Sequence, residues 1–172
     1  VIDANLCEGN FVFEVLDFPP LEVVVEPQPI SCFGANDGAA TAIVTGGAGG
    51  YTYIWEDGSI DTLTTDLKPG SISVTVTDMN GCETIASAEV IEPNEIFLEL
   101  IRTEDVVCAG DSTGLISVLG SGGTPPFQYS IDGVNFQSDT TFTGVLAGVY
   151  EVTVMDAEDC TFSISAEITQ PE

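Results

Sequence analysis

Residues 70–82 read GSISVTVTDMNGC, and residues 148–160 read GVYEVTVMDAEDC. In each stretch apolar side chains fall at every second position: Ile72, Val74 and Val76 in the first, Tyr150, Val152 and Val154 in the second. A period of two places such residues on one face of a β-strand, and this alternation is the pattern of a strand with one buried face. Each strand then runs into an Asp-led turn. In the first copy, Asp78-Met79-Asn80-Gly81 ends in Asn-Gly, which tolerates the positive φ of a tight hairpin. A cysteine follows directly in both.

Outward from this pair the repetition continues. Residues 32–38 (CFGANDG) match 108–114 (CAGDSTG), so Cys32 aligns with Cys108 and Gly38 with Gly114. TGGAGGYTYIW at 45–55 matches SGGTPPFQYSI at 121–131, pairing Gly47 with Gly123, Tyr51 with Phe127 and Tyr53 with Tyr129. Both copies close on a proline, Pro93 and Pro171. The opening VIDANLC matches VTDMNGC at 76–82, so Asp3 and Cys7 read as the end of a truncated preceding unit. Repetition at this period is the mark of a tandem array. The expected organisation is a tail over 1–19, a first unit over 20–93 and a second over 94–172.

Each unit reads as short strands separated by turn signals. AATAIVT (39–45) and YTYIW (51–55) are strands, and Glu56-Asp57-Gly58 turns the chain. In FQYSIDGVNFQ (127–137), Asp132-Gly133 between two alternating runs predicts a two-residue hairpin. Gly and Pro interrupt every other candidate run, and none holds a helical period. The expectation is about seven strands per unit in an all-β fold, as tandem immunoglobulin-like or fibronectin-III-like β-sandwich repeats. LKPGSI at 67–72 sits where such folds turn between their fifth and sixth strands. Tyr150 is placed for a tyrosine corner, a role Ile72 cannot take. Tyr51, Tyr53, Trp55, Phe127 and Tyr129 alternate mid-strand as core residues do; the rival reading is a glycan-binding platform, which needs them displayed.

The chain has 28 acidic residues against two basic ones, Lys68 and Arg102, and no histidine. Such a surface gives phosphate backbones and anionic headgroups nothing to pair with, so neither nucleic acid nor a membrane surface is an expected partner. No apolar run approaches the ~20 residues of a membrane-spanning helix. Without histidine there is no Ser-His-Asp triad, Cys-His pair or histidine-ligated zinc. Any glycosidase-like carboxylate pair recurs in every unit, whereas an enzyme needs one site, so no catalytic residues are assigned.

Two features of the unit ends remain open to chemistry. The cysteines Cys7, Cys32, Cys82, Cys108 and Cys160 recur at repeat positions, which points to disulfides and an oxidising compartment. Pairing within a unit would join Cys32 to Cys82 and Cys108 to Cys160. Pairing across a boundary would join Cys7 to Cys32 and Cys82 to Cys108. A seven-strand count puts the two cysteines of one unit at opposite ends of a sandwich, beyond the ~7 Å Cα reach of a disulfide; losing a middle strand would reunite them. The turns around Asp78, Asn80, Asp156 and Asp159 collect oxygen ligands of the kind calcium takes, although Asp and Asn also favour turns for backbone reasons. No EF-hand loop is present, and no other cofactor is expected.

In combination, C-x-G-x-x-x-G, then GG-x-x-x-Y-x-Y-x-W, then L-x-x-G-x-[IY]-x-V-x-V-x-D-x-N-G-C and a closing E-P resemble the SprB repeat of very large surface proteins of Bacteroidota, including a gliding-motility adhesin. Departures fall at Gly49-Gly50, where prolines are usual, at Ile131 in place of tryptophan and at Asp159 in place of glycine. The resemblance implies an extracellular, cell-surface location, export by the type IX route, and a structural stalk whose neighbours are further repeats of the same chain. Rival functions are a glycan-binding module, the subunit of an extracellular filament, and an accessory β-domain of a secreted hydrolase. Surface glycans or other surface proteins are the expected outside partners.

Overall fold

The computed structural model describes residues 17–172. Asp3, Asn5 and Cys7, with the truncated unit assigned to them, lie outside the described residues. Twelve strands follow in two sets of six. The first set is β1 (Glu22–Gln28), β2 (Gly38–Thr45), β3 (Thr52–Trp55), β4 (Leu63–Leu67), β5 (Gly70–Thr77) and β6 (Glu83–Val90). The second is β7 (Phe97–Glu104), β8 (Gly114–Ser121), β9 (Gln128–Ser130), β10 (Thr141–Val145), β11 (Gly148–Met155) and β12 (Thr161–Ile168).

Each set makes two three-stranded antiparallel sheets, β1-β2-β4 facing β3-β5-β6 and β7-β8-β10 facing β9-β11-β12. The inward rows of the two sheets supply separate cores. Val74 and Val76 in the first unit, and Val152 and Val154 in the second, are wholly buried, as the period-two pattern predicted. This is an all-β fold of immunoglobulin-like sandwiches in tandem. Tyr150 donates its hydroxyl to the Leu146 carbonyl at 3.0 Å, four residues upstream, so it does close a tyrosine corner.

Two expectations are corrected. There are six strands per unit, not seven, so the Leu67–Gly70 corner joins β4 to β5. The two-residue hairpin at Asp132-Gly133 is also absent: beyond β9 only a single bridge, Tyr129 to Gln137, forms. The cause is local. The Asp132 carboxylate accepts the backbone N–H of Val134 and Asn135 at 2.9 and 2.8 Å, and the Ser130 hydroxyl accepts those of Asp132 and Gly133. In the first unit Asp57 captures the Ser59 N–H at 2.9 Å in the same way. Side chains that bond their own backbone withdraw its donors from a strand ladder. The run after each Asp turn therefore stays a loop.

The two cores are filled by different side chains. Trp55, 1% exposed, packs with Ala40 and Ala42, and Thr64 is buried beside them. The second unit has Ile131 in place of the tryptophan, and Ile116, Val118 and Phe142 in place of Ala40, Ala42 and Thr64. Interiors are close-packed, so the side chains around a changed core position change with it. The smaller side chain at Ile131 thus comes with larger ones at those three positions.

Candidate functional site at the joint between repeats

Strand directions decide which loops meet. Antiparallel pairing makes β1 and β4 run one way and β2 the other; β3 and β6 likewise oppose β5. The Ile30 N–H donates to the Ile91 carbonyl at 3.0 Å just past β1 and β6, so those two strands finish at the same end. β3 and β4 therefore run in the same direction, and the loop between them carries the chain back. That return offsets the missing strand. Cys32, after β1, and Cys82, after β5, remain at opposite ends of the first sandwich despite the lower strand count.

At the leading end of each unit one aspartate ties its own turn to the loop between the second and third strands. The Asp78 carboxylate accepts the backbone N–H groups of Ala48 (2.9 Å), Asn80 (2.9 Å) and Cys82 (3.0 Å). Asp156 repeats this with Thr124 (2.8 Å), Glu158 (3.0 Å) and Cys160 (2.9 Å). Both aspartates are buried. The Ala48 N–H, together with those of Cys82 and Asn80, holds the Asp78 carboxyl below the ordinary aspartate range against the opposing cost of burial.

The paired glycines serve the same construction. The Gly47 N–H donates to the Pro19 carbonyl at 2.8 Å and the Gly123 N–H to the Asn94 carbonyl at 3.0 Å, fixing the incoming chain to the unit it enters. A Cβ on Gly122 would sit 1.9 Å from the Glu95 carbonyl oxygen, and one on Gly123 would sit 2.6 Å from the Asp156 carboxylate. Gly46 and Gly47 meet Pro20 and Asp78 in the same way. Both glycines also have positive φ in both units, so no other residue fits there without strain. Asp159, which replaces Gly81, keeps the left-handed conformation with φ 61° against 80°, a region Asp enters more readily than most residues.

The two units meet at Glu92–Ile96. The Glu92 carboxylate accepts the Gly34 N–H at 2.7 Å, and a groove between the units is lined by Cys32, Phe33, Pro93, Asn94, Ile96 and Phe162. Across it Cys32 and Cys160 form a disulfide with a Cα–Cα distance of 5.7 Å. Neither pairing drawn from the sequence is this one. The bond skips both the partner within the unit and the partner across the nearest boundary in sequence. It runs from the trailing end of the first unit to the leading end of the second. Cys82 and Cys108 are free and exposed.

The four calcium candidates are not gathered into one place: Asp78 and Asn80 cap the leading end of the first unit, Asp156 and Asp159 that of the second. Among the described residues no three His, Cys, Asp or Glu side chains converge on a point that could hold a metal ion. The oxygens of Asp78 and Asp156 already face backbone donors. We expect a chelator to leave the thermal midpoint unchanged to within about 1 °C, against a shift of several degrees if calcium binds the native state. Scanning calorimetry with and without chelator distinguishes the two.

Asp156→Ala strips acceptors from three N–H groups in a buried corner. We expect a loss of about 1–3 kcal/mol, read by denaturant unfolding of the second unit. For Asp78 the expected signature is in pH. A folded-state pKa below the usual 3.8 means the native state holds the ionised form more tightly. The contribution is full above about pH 5 and is lost as pH falls through the folded value. The stability gap between the wild type and Asp78→Asn should be constant from pH 8 to about 5 and close below about 4; a gap that widens on acidification would contradict this.

The aromatics are settled by their surroundings. Trp55 is buried, with Nε1 donating to the Asp61 carbonyl at 2.8 Å. Tyr129 is buried, and its hydroxyl accepts the Gly120 N–H at 3.1 Å. Tyr51 bonds the Gly46 carbonyl through its hydroxyl. Tyr53 and Phe127 are half-buried against the cores. These side chains pack the sandwiches.

The SprB repeat family matches the chain at residues 24–60 and again at 101–136. Both segments resemble the SprB repeat. Each match begins within the first strand of a unit and ends in the loop that follows its third. No curated protein is similar enough in sequence to match. Among solved structures the chain resembles a C-terminal 282-residue fragment of intimin, solved in complex with the intimin-binding domain of the translocated intimin receptor. Identity there is 14% over 89% of this chain and 64% of that one, with a TM-score of 0.40. It also resembles the N-terminal eight immunoglobulin domains of Down syndrome cell adhesion molecule, at 12% identity over 90% of this chain and 24% of that one, with a TM-score of 0.41. The chain thus spans just under two thirds of the first and about a quarter of the second. The fold assignment rests on the strand pairing above. SprB repeats are repeats of cell-surface adhesins, and a disulfide fits an extracellular protein. Among the described residues no helix is long and apolar enough to cross a membrane.

Proposed function

We propose that this chain is a length of stalk from a cell-surface adhesin, in which SprB repeats are docked end to end and covalently locked, with no catalytic role. The observation that carries this is the Cys32–Cys160 bond across the joint. A covalent bond between repeats makes their joint resist bending and pulling. The aspartate corner supports the same reading. It spends the carboxylates that recur in every unit on holding backbone, which leaves them unsuited to acid–base work. The finer role is attachment or gliding at the surface of a cell that exports the protein by the type IX route. Its partners are neighbouring repeats and, along the fibre, surface glycans or surface proteins.

Small-angle scattering tests the stalk reading. The oxidised chain should fit one elongated conformer and the reduced chain a broader distribution. A compact oxidised profile would count against it. The glycan-module reading requires exposed aromatics, and a ligand that shifts the emission of Trp55 would revive it. Self-association in sedimentation would favour a filament subunit.

A further inference from the structure

The free cysteines are not spare. Cys82 is the repeat equivalent of Cys160, and Cys108 the equivalent of Cys32. Their loops already have the shape of the bonded ones. The Cys82 N–H donates to Asp78 at 3.0 Å, as that of Cys160 does to Asp156 at 2.9 Å. On the other side, the Asp111 N–H donates to the Cys108 carbonyl at 3.0 Å, matching Ala35 to Cys32 at 3.0 Å. Val106 bonds the Thr169 carbonyl as Ile30 bonds that of Ile91. The Gly110 N–H reaches the Gln170 side chain at 3.3 Å where that of Gly34 reaches Glu92. Gly34 and Gly110 have φ of 77° and 85°. Both halves of the joint are therefore preformed without the bond. The difference is burial: Cys160 is 8% exposed inside the joint, while Cys82 and Cys108 lie open at the outer ends of the pair.

We propose that Cys82 and Cys108 are halves of further staples of the same kind. Each repeat uses its first cysteine to bond the second cysteine of the repeat that follows it. Cys108 then takes the second cysteine of a following repeat, and Cys82 takes the first cysteine of a preceding one. A tandem array becomes a ladder with one disulfide per joint and none within a repeat. Closing each rung removes two protons and two electrons from two thiols. A small disulfide such as oxidised glutathione accepts them and leaves as two thiols. The ladder rests on the stalk reading only in requiring a following repeat.

The test extends the full chain by a second copy of residues 20–93 placed after Glu172. It is refolded in a glutathione redox buffer, alkylated, and mapped by mass spectrometry of non-reduced peptides. The expected bonds are Cys32–Cys160 and Cys108 to the copy of Cys82, while Cys82 and the copy of Cys32 are alkylated. With the copy carrying Cys82→Ser, Cys108 should be alkylated and Cys32–Cys160 retained. Cys108 left free in the extended chain, or joined to Cys82 of its own repeat pair, would overturn the ladder, as would loss of Cys32–Cys160. A ladder that forms in a chain whose scattering profile is compact would overturn the stalk reading instead.

Discussion

Trp55→Ala should unfold the first repeat at conditions where the second remains native. The tryptophan is 1% exposed and has its one polar atom satisfied by the Asp61 carbonyl. Truncation leaves a large cavity and frees that carbonyl, for a loss of about 3–5 kcal/mol. The cavity cannot close easily because Ala40 and Ala42 present only methyl groups to it. Circular dichroism should show one early and one late transition, the late one carrying Tyr129 and Phe142. The second repeat also supplies a rescue. Trp55→Ile with Ala40→Ile installs two residues that its sibling uses, keeps the summed side-chain volume nearly constant, and should recover part of the loss. If Trp55→Ala left both transitions in place, the tryptophan would not be a core residue and the exposed-platform reading would return.

The residues that were legible in the sequence are those whose role is local. Alternation at Ile72, Val74 and Val76 gave the buried face of β5, and Tyr150 announced its corner because the bond partner lies four residues away. The misread hairpin at Asp132-Gly133 failed for a local reason too. Dipeptide chemistry suggested a turn, but the carboxylate of Asp132 and the hydroxyl of Ser130 took the donors a second strand would need. What the repeat pattern hid was of a different kind. Aligning two copies invites pairing inside the copy or across the nearest boundary, and the observed disulfide spans 128 positions. Its logic depends on which end of a sandwich each loop occupies. That in turn depends on β3 and β4 running the same way, which no residue type signals. The paired glycines were visible as a motif, but their cause was not. It lies in the approach of Glu95 and Asp156, both distant in sequence, to within a Cβ's reach.

Cys160→Ser should cost about 2–4 kcal/mol and uncouple the repeats, whereas Cys82→Ser should change neither property. The two substitutions are chemically identical and sit at equivalent positions, so the difference isolates the joint. The closed loop holds most of both cores. When one repeat unfolds, the other stays folded as a tie, so the bond still restrains the loosened chain. On the chain-entropy account the full loop of 128 positions would give at most about 5 kcal/mol, and engineered or strained cases deliver less. Because the repeats have separate cores, a single unfolding free energy is not defined for the pair, and the effect is best read as the position of each transition. In the oxidised wild type the two transitions should lie close together, since opening either repeat must work against the staple. In Cys160→Ser they should separate, each repeat unfolding at its own midpoint. Adding reductant to the wild type should reproduce that profile, and adding it to Cys160→Ser should do nothing. Equal behaviour of Cys82→Ser and Cys160→Ser would mean that the joint carries no covalent tie.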